Sequence, residues 1–167
     1  MFGGDCGSAR AEEGVEDGGI TYTEVLYKVT DKFNWLLGIM FFFGAPMDNQ
    51  WHALDAVSTV LRMQEAMIPF NEELKNQNLP TVKMRAGINT GNVIVGDAGI
   101  AQRADYTVLG DTVNTSARLE SANKATGTLV MMGGQTYELV KDVFLCRPIA
   151  KLQVVGKTEG IRVYEPM

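Results

Sequence analysis

Residues 84–91 read Met84-Arg85-Ala86-Gly87-Ile88-Asn89-Thr90-Gly91. Further on come Val95-Gly96-Asp97-Ala98-Gly99 and then Arg103-Ala104-Asp105-Tyr106-Thr107-Val108-Leu109-Gly110-Asp111-Thr112-Val113-Asn114-Thr115-Ser116-Ala117-Arg118-Leu119-Glu120-Ser121-Ala122-Asn123-Lys124. Thr81–Asn89 and Asn92–Asp97 are two β-like runs around Thr90-Gly91, a short-turn signal that predicts a hairpin. Turn-rich Gly99–Ala104 leads into a further strand, Tyr106–Leu109. Gly110-Asp111-Thr112 opens a helix reaching about Lys124. On that helix Asn114 and Arg118 are four residues apart and share one face.

Outward from this block the same signals continue. Thr128–Met132 reads as a strand and Gln135–Val140 as a short helix. Phe144–Arg147, Leu152–Val155 and Ile161–Tyr164 read as three late β segments. Upstream, Gly38–Phe43 is a strand closed by Gly44-Ala45-Pro46. Asp48 is placed to cap a long helix to about Asn76 with an apolar stripe of Trp51, Leu54, Val57, Leu61 and Ile68. Pro69 is expected to kink or end its regular part. Residues 20–29 are rich in β-branched and aromatic types and suit either a strand or a short amphipathic helix. Residues 1–19 carry six glycines and five acids with almost nothing to bury, the composition of a disordered or non-native tail. The domain is therefore assigned to residues 20–167. Strands and helices alternate irregularly, which predicts an α+β sandwich: an antiparallel-rich sheet with helices on one face.

Composition narrows the function. A net charge of -5 argues against a nucleic-acid partner, since phosphate backbones want a basic surface. The longest apolar run, Trp35 to Phe43, falls far short of the roughly 20 residues that span a bilayer. No charged-then-apolar signal-peptide pattern opens the chain. Cys6 and Cys146 sit in neither a CxxC nor a His-rich setting, so a zinc site is not expected and a reducing, cytoplasmic location is.

Taken together, residues 84–128 resemble the signature region of class III nucleotidyl cyclases. The likeness extends upstream to Asp31-Lys32-Phe33, Ile39-Met40, Phe42-Phe43-Gly44-Ala45-Pro46 and His52-Ala53-Leu54, and downstream to Val154-Val155-Gly156-Lys157-Thr158-Glu159-Gly160. It covers about residues 30–165, and its length and order carry it rather than any short motif. The resemblance implies a ferredoxin-like α+β core and active sites between two catalytic domains, as a homo- or heterodimer. It implies a phosphorus-oxygen lyase reaction of signal transduction, nucleoside triphosphate to cyclic nucleotide plus pyrophosphate. It also implies Mg2+ or Mn2+ held by two aspartates of one domain.

By resemblance, Asn114 and Arg118 are the catalytic pair. An amide and a guanidinium on one helix face can position a ribose and stabilise charge developing on phosphates. Lys157 reaches the triphosphate. Lys32 and Thr107 read the purine, and a Lys/Thr pair looks like the ATP version rather than the GTP one. The lysine donates to a ring nitrogen and the threonine hydroxyl accepts from the exocyclic amine. Gly156-Lys157-Thr158 is not the end of a Walker A loop, because position 151 is lysine where glycine is needed.

The pattern breaks at the metal. The family places Gly-Asp shortly after the purine lysine, whereas here Asn34-Trp35-Leu36-Leu37 precedes Gly38. Leucine offers magnesium no oxygen. The strand that carries the family's other metal aspartate, and the helices after it, are expected to be missing. No metal ligand is therefore assigned. Two explanations stand: a complementary half that pairs with a metal-bearing domain, or a truncated or locally frame-disrupted product. Two non-catalytic alternatives also stand: a cyclase-homology module that binds nucleotide or a partner domain and regulates it, and an unstable fragment without activity.

Overall fold

The computed structural model describes residues 21–30, 36–100, 103–153 and 160–167. The expected tail, residues 1–19, lies outside these. The elements run β1 (Thr21–Thr30), β2 (Leu36–Phe43), α1 (His52–Asn76), β3 (Lys83–Asn92), β4 (Ile94–Ile100), β5 (Arg103–Leu109), α2 (Asp111–Thr126), β6 (Val130–Gly133), α3 (Gly134–Val140), β7 (Cys146–Leu152) and β8 (Ile161–Pro166). Six strands form one sheet in the order β2-β1-β3-β6-β8-β7, and β4 and β5 form a separate two-stranded ribbon. Every pairing in the sheet is antiparallel except β3 with β6. That parallel pair needs a crossover, which the ribbon and α2 supply. The α+β class and the antiparallel-rich sheet are thus as expected.

The open reading of residues 20–29 resolves as a strand. β1 lies between β2 and β3, with Thr30 opposite both Leu36 and Lys83. A strand therefore precedes β2, although its sequence holds no aspartate. Among the described residues no helix precedes α1, and no helix is long and apolar enough to cross a membrane.

The helices occupy both faces of the sheet, not one. β3 explains why, because it is buried from Ala86 to Thr90 and alternates between two cores. Met84, Ala86 and Ile88 pack with Ala53, Ala56, Val57 and Val60 of α1 and with Val130, Met132 and Val140. Thr90 Oγ1 meets Thr136 Oγ1 of α3 at 3.0 Å on that same face. Arg85, Gly87, Asn89 and Gly91 turn to the other face and meet α2. There Leu119 packs with Met131 and Val163.

Four local expectations are corrected. Thr90-Gly91 is inside β3, and β4 pairs with β5 from Ile94↔Leu109 to Ile100↔Arg103 rather than with β3. Gly91 serves packing: a Cβ there would lie 2.5 Å from Thr112 Oγ1. Asp48 does not cap α1; Asn49 organises the entry, accepting from Trp51 N at 2.9 Å and donating to Asp55 Oδ2 at 2.8 Å. Of the expected stripe on α1, Val57 is buried and Leu54 and Leu61 pack on the core beside Ala53, Ala56 and Val60, whereas Trp51 and Ile68 are 58% and 63% exposed.

The fourth is Pro69, which lies inside α1 and does not end it. Gln64 Nε2 donates to Met84 O at 3.0 Å on one side of it. On the other, Asn71 clamps Val82 through Nδ2 to O at 2.9 Å and N to Oδ1 at 2.7 Å. These bonds hold both flanks of the helix to the start of β3, while Glu65, whose carbonyl loses its partner, is exposed. Finally, the first two late β segments merge into edge strand β7, with a register shift between Pro148 and Ala150; an edge tolerates proline. Val154 and Val155 lie outside the described residues.

A Cβ on Gly87 would overlap Ser116 O and Glu120 N of α2, both backbone atoms that cannot swing aside. Gly87→Ala is expected to lower unfolding free energy by about 3 kcal/mol, at the upper end for overpacking. Gly96→Ala, with nothing within 4 Å, is the matched control, expected within about 1 kcal/mol in urea titrations.

Candidate active site

The site is built on α2. Its first turn is tied to the end of β3, where Thr112 Oγ1 donates to Asn92 O at 3.1 Å and Asn89 Nδ2 donates to Thr112 O at 3.3 Å. Its middle is held by Arg85 Nε on Glu120 Oε1 at 3.1 Å, with Glu120 only 1% exposed. Its last turn is held by Asn123 Nδ2 on Ala86 O at 2.9 Å, and Thr128 Oγ1 donates to Asn123 Oδ1 at 2.6 Å. Thus alternate residues of β3 meet successive turns of α2 along its length, running in the opposite direction.

This fixes which side of α2 faces out. Thr115, Ser116, Leu119, Glu120 and Asn123 are buried. Asn114 and Arg118 fall on the opposite side, one helical turn apart, and both are exposed. Among the described residues neither side chain has a hydrogen-bond partner. An amide and a guanidinium therefore stand side by side on a rigid helix, free to engage a ligand. Asp111 in the first turn complements the helix N-terminus.

Thr107 lies in β5, opposite Gly96 of β4, four residues ahead of α2. The backbone thus brings Thr107, Asn114 and Arg118 onto one continuous strand–helix unit. Lys32, between β1 and β2, and Lys157, between β7 and β8, lie outside the described residues. At the root of the ribbon Ile94 and Leu109 face each other across the ladder and are 75% and 58% exposed.

Among the described residues no three His, Cys, Asp or Glu side chains gather as a cation site. A cavity of about 740 Å3, lined by Leu61, Ile68, Val82, Lys83, Leu129 and Met167 among others, lies at the Lys83 end of β3, away from the Asn92 end where α2 begins. It is mostly apolar and shares no residue with the α2 pair.

What the reading of the sequence missed is the supporting face: Arg85, Gly87, Asn89 and Gly91 against Glu120, Ser116 and Thr112. The signal was present. Those four β3 residues alternate with apolar Met84, Ala86 and Ile88, and a strand whose second face is charged, small and polar is one that meets something other than a plain apolar core.

Comparison with known proteins agrees with this architecture. Residues 29–164 match the adenylate and guanylate cyclase catalytic domain family. Adenylate cyclase 1 of Rhizobium meliloti is 35% identical over 123 residues, covering 74% of this chain and 18% of its own length. The adenylate cyclase of Anabaena cylindrica is 34% identical over 120 residues, covering 66% of this chain and 23% of its own. This chain thus spans about a fifth of the length of those relatives. The crystal structure of the adenylyl cyclase CyaB from P. aeruginosa superposes with a TM-score of 0.76 at 23% identity, covering 88% of this chain and 94% of that one. The guanylyl cyclase Cya2 superposes with a TM-score of 0.73 at 24% identity, covering 87% and 91%. The fold is that of these structures, and the chain belongs to the adenylate and guanylate cyclase catalytic domain family.

Proposed function

We propose that this chain supplies the purine- and phosphate-contacting half of a site that converts ATP to cyclic AMP and pyrophosphate. A facing catalytic domain supplies the divalent cations. The observation that carries the reading is the exposed Asn114–Arg118 pair, without a hydrogen-bond partner among the described residues, on a helix fastened along its opposite side. In the reaction the ribose 3′-hydroxyl gives up its proton to water, its oxygen bonds to the α-phosphorus and the bond from that phosphorus to the bridging oxygen breaks, releasing pyrophosphate. Arg118 offsets the negative charge that builds on the phosphates, and Asn114 orients the ribose.

The purine and triphosphate contacts assigned to Lys32, Thr107 and Lys157 rest on family resemblance. ATP over GTP rests on the Lys32/Thr107 pairing, since adenylyl and guanylyl cyclases both share the fold. A facing domain is supported by the outward aim of α2 and by the exposed apolar Ile94–Leu109 pair beside it, which stays wet in a lone chain. A cytoplasmic place of action is part of the proposal and rests on the setting of Cys6 and Cys146.

Alone, with ATP and Mn2+, the chain is expected to form no cyclic AMP. Mixed with a cyclase domain that keeps both metal aspartates but lacks its own Asn/Arg pair, it is expected to restore turnover. Arg118→Ala should then lower kcat by about 10²-fold or more. Clear turnover by the chain alone, abolished by Asn114→Ala, would overturn the division of labour, and a higher kcat/KM for GTP would reassign the purine.

Asn114→Ala and Arg118→Ala are expected to leave unfolding free energy within about 0.5 kcal/mol of wild type, as exposed unpartnered side chains do. ATP should raise the melting temperature of the wild type through binding to the folded state alone. Thermal stabilisation by ATP without turnover in any mixture would instead identify a nucleotide-binding regulatory module.

A further inference from the structure

Glu120 is a carboxylate buried to 1% exposure in the middle of α2. Arg85 Nε donates to it at 3.1 Å and Ser121 Oγ at 3.2 Å. A buried ion pair is a weak source of stability, because desolvating both charges costs about as much as their attraction returns. Apolar side chains of similar volume would hold helix and sheet together equally well. What an apolar pair lacks is direction. Dispersion and hydrophobic contacts let a helix turn or slide on a sheet, whereas a charge-assisted hydrogen bond fixes an angle and a distance.

The place of the pair gives that direction a use. Glu120 is two residues from Arg118, about 200° around the helix, so it lies behind the outward guanidinium. At the outer radius of a helix, about 5–6 Å, a 10° rotation moves a side-chain group by about 1 Å. Reacting groups must be held within about 0.5 Å, and a displacement of about 1 Å costs on the order of 10²-fold in rate. Gly87 leaves backbone against backbone at this level, a contact with no side chain to act as a key. Asn89 and Asn123 tether the two ends of α2 by neutral hydrogen bonds. Arg85–Glu120 is a charged tie between β3 and α2.

We propose that Arg85 and Glu120 are positioning residues that lock the rotation of α2 and so aim Asn114 and Arg118 at the nucleotide. This rests on the reading of α2 given under Proposed function, and the test separates the two.

The full chain is prepared as wild type, as Arg85→Met with Glu120→Leu, as Glu120→Gln, and as Arg85→Lys. Each is measured in three ways: by thermal unfolding, by the NMR signals of the Asn114 side-chain amide and the Arg118 Nε–H, and by kcat and KM for ATP-Mn2+ in the mixed-domain assay. The double variant is expected to melt within a few degrees of wild type. It should show displaced Asn114 and Arg118 signals, with those of Val57 and Val60 on α1 unmoved. Its kcat should fall about 10²-fold with KM within about threefold. Arg85→Lys, which keeps the charge, should recover at least a tenth of wild-type kcat. Should the double variant fail to fold, Glu120→Gln carries the same readouts.

Unmoved Asn114 and Arg118 signals overturn the proposal whatever the activity. So does a kcat within threefold of wild type in a mixture where Arg118→Ala abolishes turnover. Displaced signals alongside turnover that Arg118→Ala leaves intact uphold the positioning role and overturn the catalytic reading of α2.

Discussion

Among the described glycines the tightest contact is between two backbones: β3 at Gly87 and α2 at Ser116 and Glu120. No side chain fits between them. Everything that gives the chain its functional face follows from that contact. A helix brought so near a strand buries its inner side completely, and buried polar groups must then be satisfied by the strand. Arg85, Asn89 and the carbonyl of Ala86 do this for Glu120, Thr112 O and Asn123. Each such bond adds only about 1 kcal/mol net, but leaving its buried partner unmade costs about 1–3 kcal/mol. The polar ties therefore discriminate against misplaced helices more than they add stability.

The same contact explains why α2 carries so little apolar surface. Leu119 is its one large apolar residue in the second core. The helix is held by small residues, amides and one ion pair on the inside, which leaves the outside free for an amide and a guanidinium. On the opposite face of the sheet the logic is ordinary: Ala53, Ala56, Val57 and Val60 of α1 meet Met84, Ala86 and Ile88 through apolar packing. One strand thus serves a stabilising core on one side and a positioning surface on the other. The division of labour is set by the alternation of side chains along β3.

The family and the shared face of Asn114 and Arg118 were legible because they live in short, local patterns. Gly110-Asp111-Thr112 opens α2 where the signals say, and Asn114 and Arg118 share a face as any residues four apart on a helix do. The errors have a common cause. Gly91 carries a turn signal, yet its lack of a side chain serves Thr112 across space. Pro69 carries a breaker signal, yet Gln64 and Asn71 hold the helix on either side of it through bonds to β3. Trp51 and Ile68 carry a burial signal, yet the buried positions of α1 are Ala53, Ala56, Val57 and Val60. In each case a contact remote in sequence outweighed a local preference.

The amino-acid sequence by itself determined that this is a cyclase-family domain, that Asn114 and Arg118 lie side by side, and that no aspartate stands where the family's Gly-Asp is expected. These are statements about residue identity and helical period, and neither depends on what packs against what. Only the tertiary structure decided that helices cover both faces of the sheet, that β4 pairs with β5 rather than β3, and that the Asn114–Arg118 face of α2 points away from the sheet. The reason is physical. A helix's period says which residues share a face, but which face turns inward is set by the partner surface, here the glycine, amide and guanidinium that β3 presents.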